Sequence, residues 1–484
     1  MLLNRIITSI SFCCIFLFAN AKPLSPLDFG LNDAVTGEER WAVLYKTHEI
    51  AAKTNRKVSY KGIHTIDITI PYNAAPIPLS SRTDFSGVTI NVSNFRVFGL
   101  FLFELSNETK PVNIDDTKCF SNYDFQKSPI LRKGEKLLLI EDANPWVKNR
   151  EGRSYGAIRR DVLLLVDGKS INEPVYPYGN SSCPRCEYVE VNQKKKIISN
   201  LTVNRTEKCN QLTFIIKVKN ENNVFLEKII INTQPQPHLY GDQAISIENC
   251  TNIQIRDINI LSTYSKKDTY GYGISLNTIW NATINHIVGK GEWGFFGNNN
   301  INKVSVKNSI LNRFDLHCYG RDFCFDNCKF IGPNNALPLS SMYGRVLFKK
   351  CEFSNTIPIG FRPDYNAYTP FDIYFDRCTI YVKPANYCLI HITGLNDVIA
   401  EREELRKKCI PNLKMEKCKV FFDDEMKRWE IFHTGNVSYK EPFEYISSVD
   451  LGEIKLMDDH REIPIIIFDN QVRISNNLRL IMPQ

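Results

Sequence analysis

Hydrophobic and polar residues alternate over short runs along most of this 484-residue chain. One segment has a helical period instead. Residues 36–53 place five side chains on one face at a spacing of 3.6 residues per turn: Trp41, Leu44, Tyr45, His48 and Ala52. The alternation at Ile66, Ile68 and Ile70 then predicts a half-buried strand within 57–70. Beyond it, short strand-like runs are separated by Asn, Gly, Asp and Pro, which predicts an all-β protein with one helix near its start.

One eight-residue pattern returns seven times after residue 240. It runs apolar, any, apolar, polar, polar, small or apolar, any, apolar, as in Val346–Phe353. Its sixth position falls at Ile258, Ile287, Ser309, Cys328, Cys351, Cys378 and Cys418. The steps between these positions are 29, 22, 19, 23, 27 and 40 residues. Short strands repeated at this spacing indicate a solenoid, because each unit can bury its apolar face only against its neighbours. The two polar residues mark a bend, so each repeat predicts one coil of a parallel β-helix.

An antiparallel β-sandwich is the alternative all-β fold, but it gives no reason for one pattern to recur in register.

The register also gives an interpretation of the cysteines. Cys328, Cys351, Cys378 and Cys418 share one pattern position and should point inward, stacked at about 4.8 Å. We interpret them as a ladder of small apolar side chains. Cys183 and Cys186 form a lone Cys-x-x-Cys pair, for which a local disulfide or two free thiols is favoured over half of a zinc site.

The first 21 residues are typical of a cleaved secretory signal, with Arg5, an apolar stretch at 10–18, and Ala19 and Ala21 before the expected cleavage. The apolar stretch is shorter than the roughly 20 residues that span a bilayer. Cys13 and Cys14 lack the small preceding residue of a lipoprotein site, which argues against a lipid anchor. We therefore expect a secreted or periplasmic protein without membrane insertion. The net charge of +7 is dispersed along the chain and is too weak to indicate nucleic-acid binding.

Several segments resemble the right-handed, pectate-lyase-like β-helix proteins. Leu27–Gly30 (LDFG), the helix and the strand that follows look like the cap with which such solenoids begin. Asn312–Asp322 (NRFDLHCYGRD) and Gly360–Tyr365 (GFRPDY) are similar to segments of secreted bacterial polysaccharide lyases, and within that group the chain resembles glycosaminoglycan lyases that cut chondroitin or hyaluronan. The resemblance implies a right-handed parallel β-helix with an N-terminal capping helix and loop insertions. We expect one domain over 22–484, with a cap at 22–75, coils with insertions at 76–430, and the last coils and a C-terminal cap at 431–484.

Function in a β-helix must lie on an outer face or in a loop, because the side chains inside the coil are needed for packing. Polar, aromatic and cationic residues are densest between 262 and 366. Cleavage beside a uronic acid by β-elimination needs a cation for the carboxylate, a base for the proton on carbon 5, and an acid for the leaving oxygen. The predicted catalytic residues are His317, Arg362, Tyr319 and Arg321. The predicted substrate-binding residues are Arg345, Asp364, Tyr365, Trp293, Asn298, Tyr272 and Arg313.

The predicted roles follow residue type. Arg362 suits the carboxylate, because a guanidinium binds it bidentately, and Asp364 would orient that guanidinium. His317 is the predicted base, since an imidazole exchanges protons near neutral pH. Tyr319 would protonate the leaving oxygen, and Arg321 or Arg345 would hold a neighbouring acidic sugar. His317 and Arg362 lie two predicted coils, or roughly 10 Å, apart.

Alternatives remain at each level. His317 could be structural, Arg362 and Asp364 could form an ion pair across Pro363, and Tyr272 and Trp293 could pack a loop or stack on sugars. A polygalacturonase-like hydrolase would need a carboxylate cluster, but the adjacent acid pairs lie outside the candidate region. A non-catalytic glycan-binding surface protein is the other alternative. We expect a monomer that binds an acidic polysaccharide and needs no cofactor, with Ca²⁺ as the alternative.

Overall fold

The computed structural model describes residues 22–93, 101–114, 119–147, 157–175, 185–191, 194–205, 214–233, 242–262, 271–290, 294–332, 335–340, 342–361, 371–392, 411–434, 448–457, 463–468 and 479–481. The predicted signal at 1–21 lies outside these ranges. None of the helices within them has both the length and the apolar character required to cross a membrane.

A helix, α1 (Gly37–Thr54), covers the start of the chain, preceded by a 3₁₀ turn at Pro26–Phe29. Its first turn forms a capping box, in which Glu39 N–H donates to Thr36 Oγ1 at 3.1 Å and Thr36 N–H donates to Glu39 Oε2 at 2.8 Å. The predicted helix is confirmed within one residue at each end. The predicted face is wrong at one position, because Ala51 is buried and Ala52 is exposed.

Six short strands follow: β1 (Val58–Ser59), β2 (Thr65–Thr69), β3 (Ile77–Pro78), β4 (Arg82–Asp84), β5 (Thr89–Ser93) and β6 (Phe101–Ser106). Ile66 and Ile68 are buried and their neighbours in β2 are more exposed, so the predicted half-buried strand is confirmed. All pairings recorded among these strands are parallel, and they build the first two coils beneath α1.

A separate antiparallel sheet interrupts the solenoid after β6. It contains β7 (Lys110–Val112), β8 (Glu135–Val147), β9 (Ala157–Val166), β10 (Lys169–Ser170) and β11 (Arg185–Glu190), in the order β10-β9-β8-β11-β7, with a short helix α2 (Cys119–Asn122). We call it the insertion sheet. It has its own apolar cluster, which includes Phe125, Leu138 and Leu163. The sequence predicted insertions in this region but not a sheet.

The remaining described strands complete the coils: β12 (Lys196–Arg205), β13 (Phe214–Lys219), β14 (Asn222–Thr233), β15 (Asp242–Ser262), β16 (Gly271–Asn285), β17 (Val288–Lys290), β18 (Gly294–Lys307), β19 (Ile310–Leu311), β20 (Phe314–Asp326), β21 (Lys329–Ile331), β22 (Leu337–Leu339), β23 (Met342–Lys349), β24 (Glu352–Ser354), β25 (Ile359–Phe361), β26 (Phe371–Asp376), β27 (Thr379–Val382), β28 (Cys388–Ile392), β29 (Asn412–Phe422), β30 (Trp429–Thr434), β31 (Ser448–Met457), β32 (Ile465–Phe468) and β33 (Arg479–Ile481). Their recorded pairings with one another are parallel. The predicted parallel β-helix with an N-terminal capping helix is confirmed.

In each repeat, the predicted bend occurs at a residue whose backbone has a left-handed conformation. The residue just before the repeated pattern position has a positive φ, between 47° and 55°, in each of seven coils, at Asp257, His286, Asn308, Asn327, Lys350, Arg377 and Lys417. A left-handed residue reverses the side-chain direction within a strand, so one continuous run of extended residues can turn a corner without a loop. This explains why β15 contains three strand segments of a coil in 21 residues.

The cysteine ladder is confirmed. Cys328, Cys351, Cys378 and Cys418 are buried free thiols. Each Sγ also lies 3.4 to 3.5 Å from a main-chain carbonyl of the preceding coil. Beside the ladder, the ring of Phe348 stacks on Phe325 and Phe375 with centroids 5.2 and 4.9 Å apart. Side chains of one type therefore repeat along the axis and fill the interior.

Candidate functional site

The candidate site lies on the outer face of one sheet of the solenoid, which we call the front sheet. The front sheet consists of β6, β13, the first parts of β15, β16, β18 and β20, and then β22, β25, β28, β30 and β32. One outward position of each successive strand forms a row along the axis, here called the front row: Lys217, Ser246, Ser275, Gly297, Asp315, Pro338, Gly360, His391 and His433.

A β-bulge in β20 carries His317. Asn298 of β18 pairs with Leu316, whereas the next residue, Asn299, pairs with Cys318, so His317 is the extra residue. A bulge bends the strand locally and redirects the extra side chain. The His317 side chain is 20% exposed, while Asp315, two residues earlier, has no exposed surface.

Four side chains form what we call the Asp315 cluster: Tyr272, Arg313, Asp315 and His317. Asp315 Oδ2 accepts a hydrogen bond from Arg313 Nη2 at 2.6 Å and another from the Tyr272 hydroxyl at 2.9 Å. The Tyr272 hydroxyl also lies 2.8 Å from His317 Nε2, which is itself 3.5 Å from Asp315 Oδ2. A buried carboxylate with a guanidinium at this distance stays ionised, because the opposite charge compensates for lost solvation.

The hydrogen bonds of this cluster determine where its protons lie. A phenol has one proton, and Tyr272 donates it to Asp315, since an ionised carboxylate can only accept. The bond between Tyr272 and His317 therefore requires the proton on His317 Nε2, which donates to the phenol oxygen. In neutral His317, Nδ1 is then the proton-accepting atom. The cluster pairs a partly exposed imidazole with a phenol, and both are oriented by a buried carboxylate.

Two glycines make room for the Tyr272 ring. A Cβ on Gly297 would overlap the ring, and a Cβ on Gly294 would lie 3.0 Å from Tyr272 Cε1. Asn298, which is fully buried, donates from Nδ2 to the main-chain oxygen of Asp315 at 2.9 Å and fixes the strand at this point. The ring of Tyr272 can therefore lie against the strand and reach across two coils to Asp315.

A polar cleft lies beside the cluster, between the front sheet and the insertion sheet. Its volume is about 680 Å³, within the usual range for ligand sites. The solenoid side includes Lys219, Glu248, Asn277, Asn299 and Cys318. The insertion side includes Glu141, Arg160, Arg185 and Glu187. On their strands, these solenoid residues stand two positions beyond the front row, or three for Cys318 because of the bulge, and so lie about 7 Å from the row. Asparagines and alternating charges in the lining suit a polar, hydroxyl-rich ligand.

The insertion sheet is attached beside this cleft by specific contacts. Arg160 N–H donates to Asn300 Oδ1 at 3.2 Å, and Asn302 Nδ2 donates to the main-chain oxygen of Glu173 at 2.9 Å. Arg321 Nη2 forms an ion pair with Glu173 Oε2 at 2.7 Å, and Nη1 donates to Pro174 O at 3.2 Å. The insertion sheet is therefore a wall of the cleft held in place by the coils.

Besides the buried Asn298, three predicted catalytic or binding residues of the described ranges do not lie in the Asp315 cluster. Tyr319 occupies a left-handed corner, with φ 57°, and its side chain has no exposed surface. Arg321 is held by Glu173 and stacks over the Tyr343 ring at 5.1 Å. Arg345 is exposed and lines a second cavity of about 920 Å³ on the other side of the insertion sheet. The structure places Tyr319, Arg321 and Arg345 outside the Asp315 cluster. Their predicted roles stay predictions.

Four predicted residues lie outside the described ranges: Trp293, Arg362, Asp364 and Tyr365. Phe361, the residue before Arg362, ends β25 and pairs with Leu339, which pairs with Leu316 of β20. Phe361 is thus two strands from the bulge that carries His317, at the predicted separation.

The sequence analysis missed two features. It did not identify Asp315 as the common partner of Tyr272, Arg313 and His317. It also missed a second cluster around Glu430 on β30. The spacing Arg-x-acid is shared by Arg313 with Asp315 and Arg428 with Glu430, but it also occurs at Arg82–Asp84 and Arg185–Glu187, so it could not have found the two clusters by itself. No three or more His, Cys, Asp or Glu side chains of the described ranges are grouped closely enough to hold a metal ion.

Comparison with solved structures finds proteins that share this fold. Tailspike Gp54 of Acinetobacter baumannii bacteriophage AP22, solved in complex with A. baumannii capsular saccharide, matches with a TM-score of 0.58 and 11% identity over 95% of this chain and 79% of the tailspike. The tailspike protein gp49 from Pseudomonas phage LKA1 matches with a TM-score of 0.59 and 13% identity over 94% of this chain and 81% of its own. The likeness shows the β-helix fold. The sequence matches no protein-family model and no curated protein.

Proposed function

We propose that this protein is a secreted or periplasmic lyase that cleaves a uronic-acid-containing polysaccharide by β-elimination at the Asp315 cluster. The favoured substrates are glycosaminoglycans such as chondroitin sulfate and hyaluronan, as the sequence resemblance implies. The observation that carries the proposal is the Tyr272 hydroxyl, bonded to Asp315 Oδ2 at 2.9 Å and to His317 Nε2 at 2.8 Å on an outer face. The tailspike solved with a capsular saccharide supports it, since that protein binds a polysaccharide on a similar fold.

The proton positions suggest a role for each member of the cluster. His317 Nδ1 takes the proton from carbon 5 of the uronic acid, and the new imidazolium is stabilised by the Asp315 carboxylate 3.5 Å from Nε2. The C–H electron pair becomes the carbon–carbon double bond, and the bond to the leaving oxygen breaks. The imidazolium then returns a proton to that oxygen. Arg313 keeps Asp315 ionised, and Arg362 remains the proposed partner of the substrate carboxylate.

Hydrolysis fits the cluster less well. A glycosidase needs two carboxyl groups about 5 to 9.5 Å apart, one on each side of the scissile bond. Asp315 is the carboxylate among the cluster residues, and it has no exposed surface. We propose no metal for the reaction and a monomeric protein. Glycan binding without cleavage is a second candidate, favoured by the polar cleft of about 680 Å³.

The cluster can be tested with two conservative variants. His317→Gln should lower turnover of chondroitin or hyaluronan by about 10²-fold, the usual effect of removing an acid–base group, and Tyr272→Phe should also lower it, because His317 Nε2 loses its hydrogen-bond acceptor. Tyr374→Phe is the matched control. Its hydroxyl also bonds a carboxylate, Glu416, but it lies on another sheet and has no histidine partner in its recorded hydrogen bond. Formation of the unsaturated product is followed by ultraviolet absorbance. Full activity in both cluster variants would place the reaction elsewhere.

A further inference from the structure

A second cluster that joins a tyrosine, an arginine, a carboxylate and a histidine lies on the front sheet. We call Tyr387, Arg428, Glu430 and His433 the Glu430 cluster. Glu430 Oε1 forms an ion pair with Arg428 Nη2 at 2.7 Å, and Oε2 lies 2.7 Å from His433 Nδ1. His433 Nε2 lies 2.8 Å from the Tyr387 hydroxyl. Glu430 is 1% exposed, and its main-chain N–H donates to Tyr387 O at 3.0 Å, which joins the two strands that carry the cluster.

The proton arrangement in this cluster is the reverse of that in the Asp315 cluster. Glu430 is paired with Arg428 and can only accept, so His433 carries a proton on Nδ1 and donates it to Oε2. In neutral His433, Nε2 must then accept the hydrogen bond from the Tyr387 phenol. Tyr387 thus donates to an imidazole, whereas Tyr272 accepts from one. A phenol bonded to an imidazole acceptor can transfer its proton, and the resulting imidazolium is balanced by Glu430.

Both clusters lie along the same row of the same outer face. Asp315 and His433 belong to the front row, separated by the strands β22, β25 and β28, so four strand spacings or about 19 Å lie between them. The intervening front-row residues Pro338 and Gly360 are both buried. The His391 ring, also in the row, is 5.5 Å from that of His433.

The exposure of the cluster matches an acid–base role. The carboxylate is buried, but the His433 side chain is 22% exposed and that of Arg428 is 58% exposed. These values parallel the 20% for His317 above a fully buried Asp315. Burial lowers the pKa of His391, whose ring lies beside that of His433. A cationic Arg428 at the rim suits an acidic ligand.

We infer that the Glu430 cluster is a second acid–base site for the same acidic polysaccharide chain, with Tyr387 as the base and His433 as its proton acceptor. This inference rests on the proposed function. Tyr387 passes its proton to His433 Nε2, and its oxygen takes the proton from the carbon beside the uronate carboxylate. The C–H electron pair forms the double bond, the bond to the leaving oxygen breaks, and that oxygen receives the proton held by His433. No outside reagent is consumed.

The kinetic test uses the Tyr272→Phe protein as its background. Adding Tyr387→Phe should lower the remaining formation of unsaturated product at least about tenfold, because the second site supplies that activity. The same change in the wild-type background should have a smaller effect, and Tyr374→Phe should have none in either background. Equal residual activity with and without Tyr387 would overturn the inference while leaving the Asp315 site in place. Loss of all activity in Tyr387→Phe alone, with Tyr272→Phe fully active, would instead overturn the Asp315 assignment.

Nuclear magnetic resonance of ¹⁵N-labelled histidine gives a readout that does not depend on turnover. His433, assigned by comparison with His433→Gln, should carry a proton on Nδ1, and its Nε2 resonance should shift when chondroitin or hyaluronan oligosaccharides are added. Glu430→Gln should change this tautomer, since the ionised acceptor is removed. A proton on Nε2 of wild-type His433, or no shift with either glycan, would contradict the second site even if the proposed lyase activity were absent.

Discussion

At the scale of single residues, burial determines which groups can titrate. His48 of α1 is fully buried and lies 2.7 Å from the Tyr60 hydroxyl through Nε2. Burial lowers the pKa of His48 to about 3, because a charged imidazole would lose its solvation there. In the unfolded chain the same imidazole is protonated below about pH 6.5. The unfolded state therefore binds a proton that the folded state does not, between about pH 6.5 and about pH 3.

This difference predicts an acid sensitivity that belongs to His48. As the pH falls from about 6.5, the free energy of unfolding should decrease by up to about 1.4 kcal/mol per pH unit from this residue alone. His48→Gln should remove that part of the slope, whereas His64→Gln, which changes an exposed histidine of the same cap, should keep it. Urea unfolding between about pH 4 and pH 7 measures the difference. Parallel pH profiles for wild type and His48→Gln would contradict this prediction.

At the scale of strands and turns, stability is carried by ladders of like side chains. Phe348 contacts rings of both neighbouring coils, with Phe325 at 5.2 Å and Phe375 at 4.9 Å. Phe348→Ala should lower the free energy of unfolding by about 3 to 5 kcal/mol, because it leaves a cavity that two coils share. Phe421, which stacks only partly buried on Tyr381 at 5.1 Å, is the matched control, and Phe421→Ala should cost less. Equal shifts of the urea midpoint would show that the inner ladder has no special role.

The same ladders explain how much of the fold could be predicted. The same residue type recurs at one position of successive coils, and this makes the register visible in the sequence. The bends before Cys328, Cys351 and Cys378 were therefore predicted correctly. The insertion sheet was not, because the continuous apolar runs of β8 (LLLI) and β9 (VLLLV) do not reveal the direction of pairing, and antiparallel pairing is decided by contacts between distant residues.

The candidate site was only partly predictable for a similar reason. His317 was expected at the site, but nothing in the local sequence distinguishes a buried Asp315 from an exposed one or marks the bulge that turns His317 outward. Tyr387 and His433 are 46 residues apart, and they meet because one coil step brings β28 beside β30. That step includes residues outside the repeated pattern, so its length could not be read from the repeat.

At the scale of the whole molecule, the insertion sheet replaces one corner of the solenoid. Asn107 and Asn220 exchange side-chain to main-chain hydrogen bonds at 2.7 and 3.3 Å, and Lys196 pairs with Val224 of the next coil. In that next coil, the equivalent positions are Asn220 and Val224. They are joined by only three residues, Glu221, Asn222 and Asn223. The insertion sheet is therefore an addition to a corner that the coils can close with three residues.

This geometry allows the wall of the cleft to be removed. Replacing residues 108–195 with Glu-Asn-Asn should leave a folded β-helix, judged by circular dichroism and a cooperative unfolding transition, because the short corner already exists one coil away. Affinity for acidic oligosaccharides should fall at least about tenfold, since the cleft of about 680 Å³ loses one side. Glu173→Gln, which weakens only the ion pair to Arg321, is the control and should bind almost normally. Unchanged affinity after removal of the sheet would show that the glycan does not use the cleft.

The central claim, elimination at the Asp315 cluster, is tested most directly by the products formed in ¹⁸O-labelled water. Elimination breaks the glycosidic bond without adding water, so the new non-reducing end should carry a double bond, and no label should enter the chain. Mass spectrometry of chondroitin and hyaluronan fragments should show products lighter by one water than hydrolytic fragments and free of ¹⁸O, formed much more slowly by Tyr272→Phe and His317→Gln. Fragments that contain ¹⁸O, or no cleavage of either glycan, would contradict the lyase function.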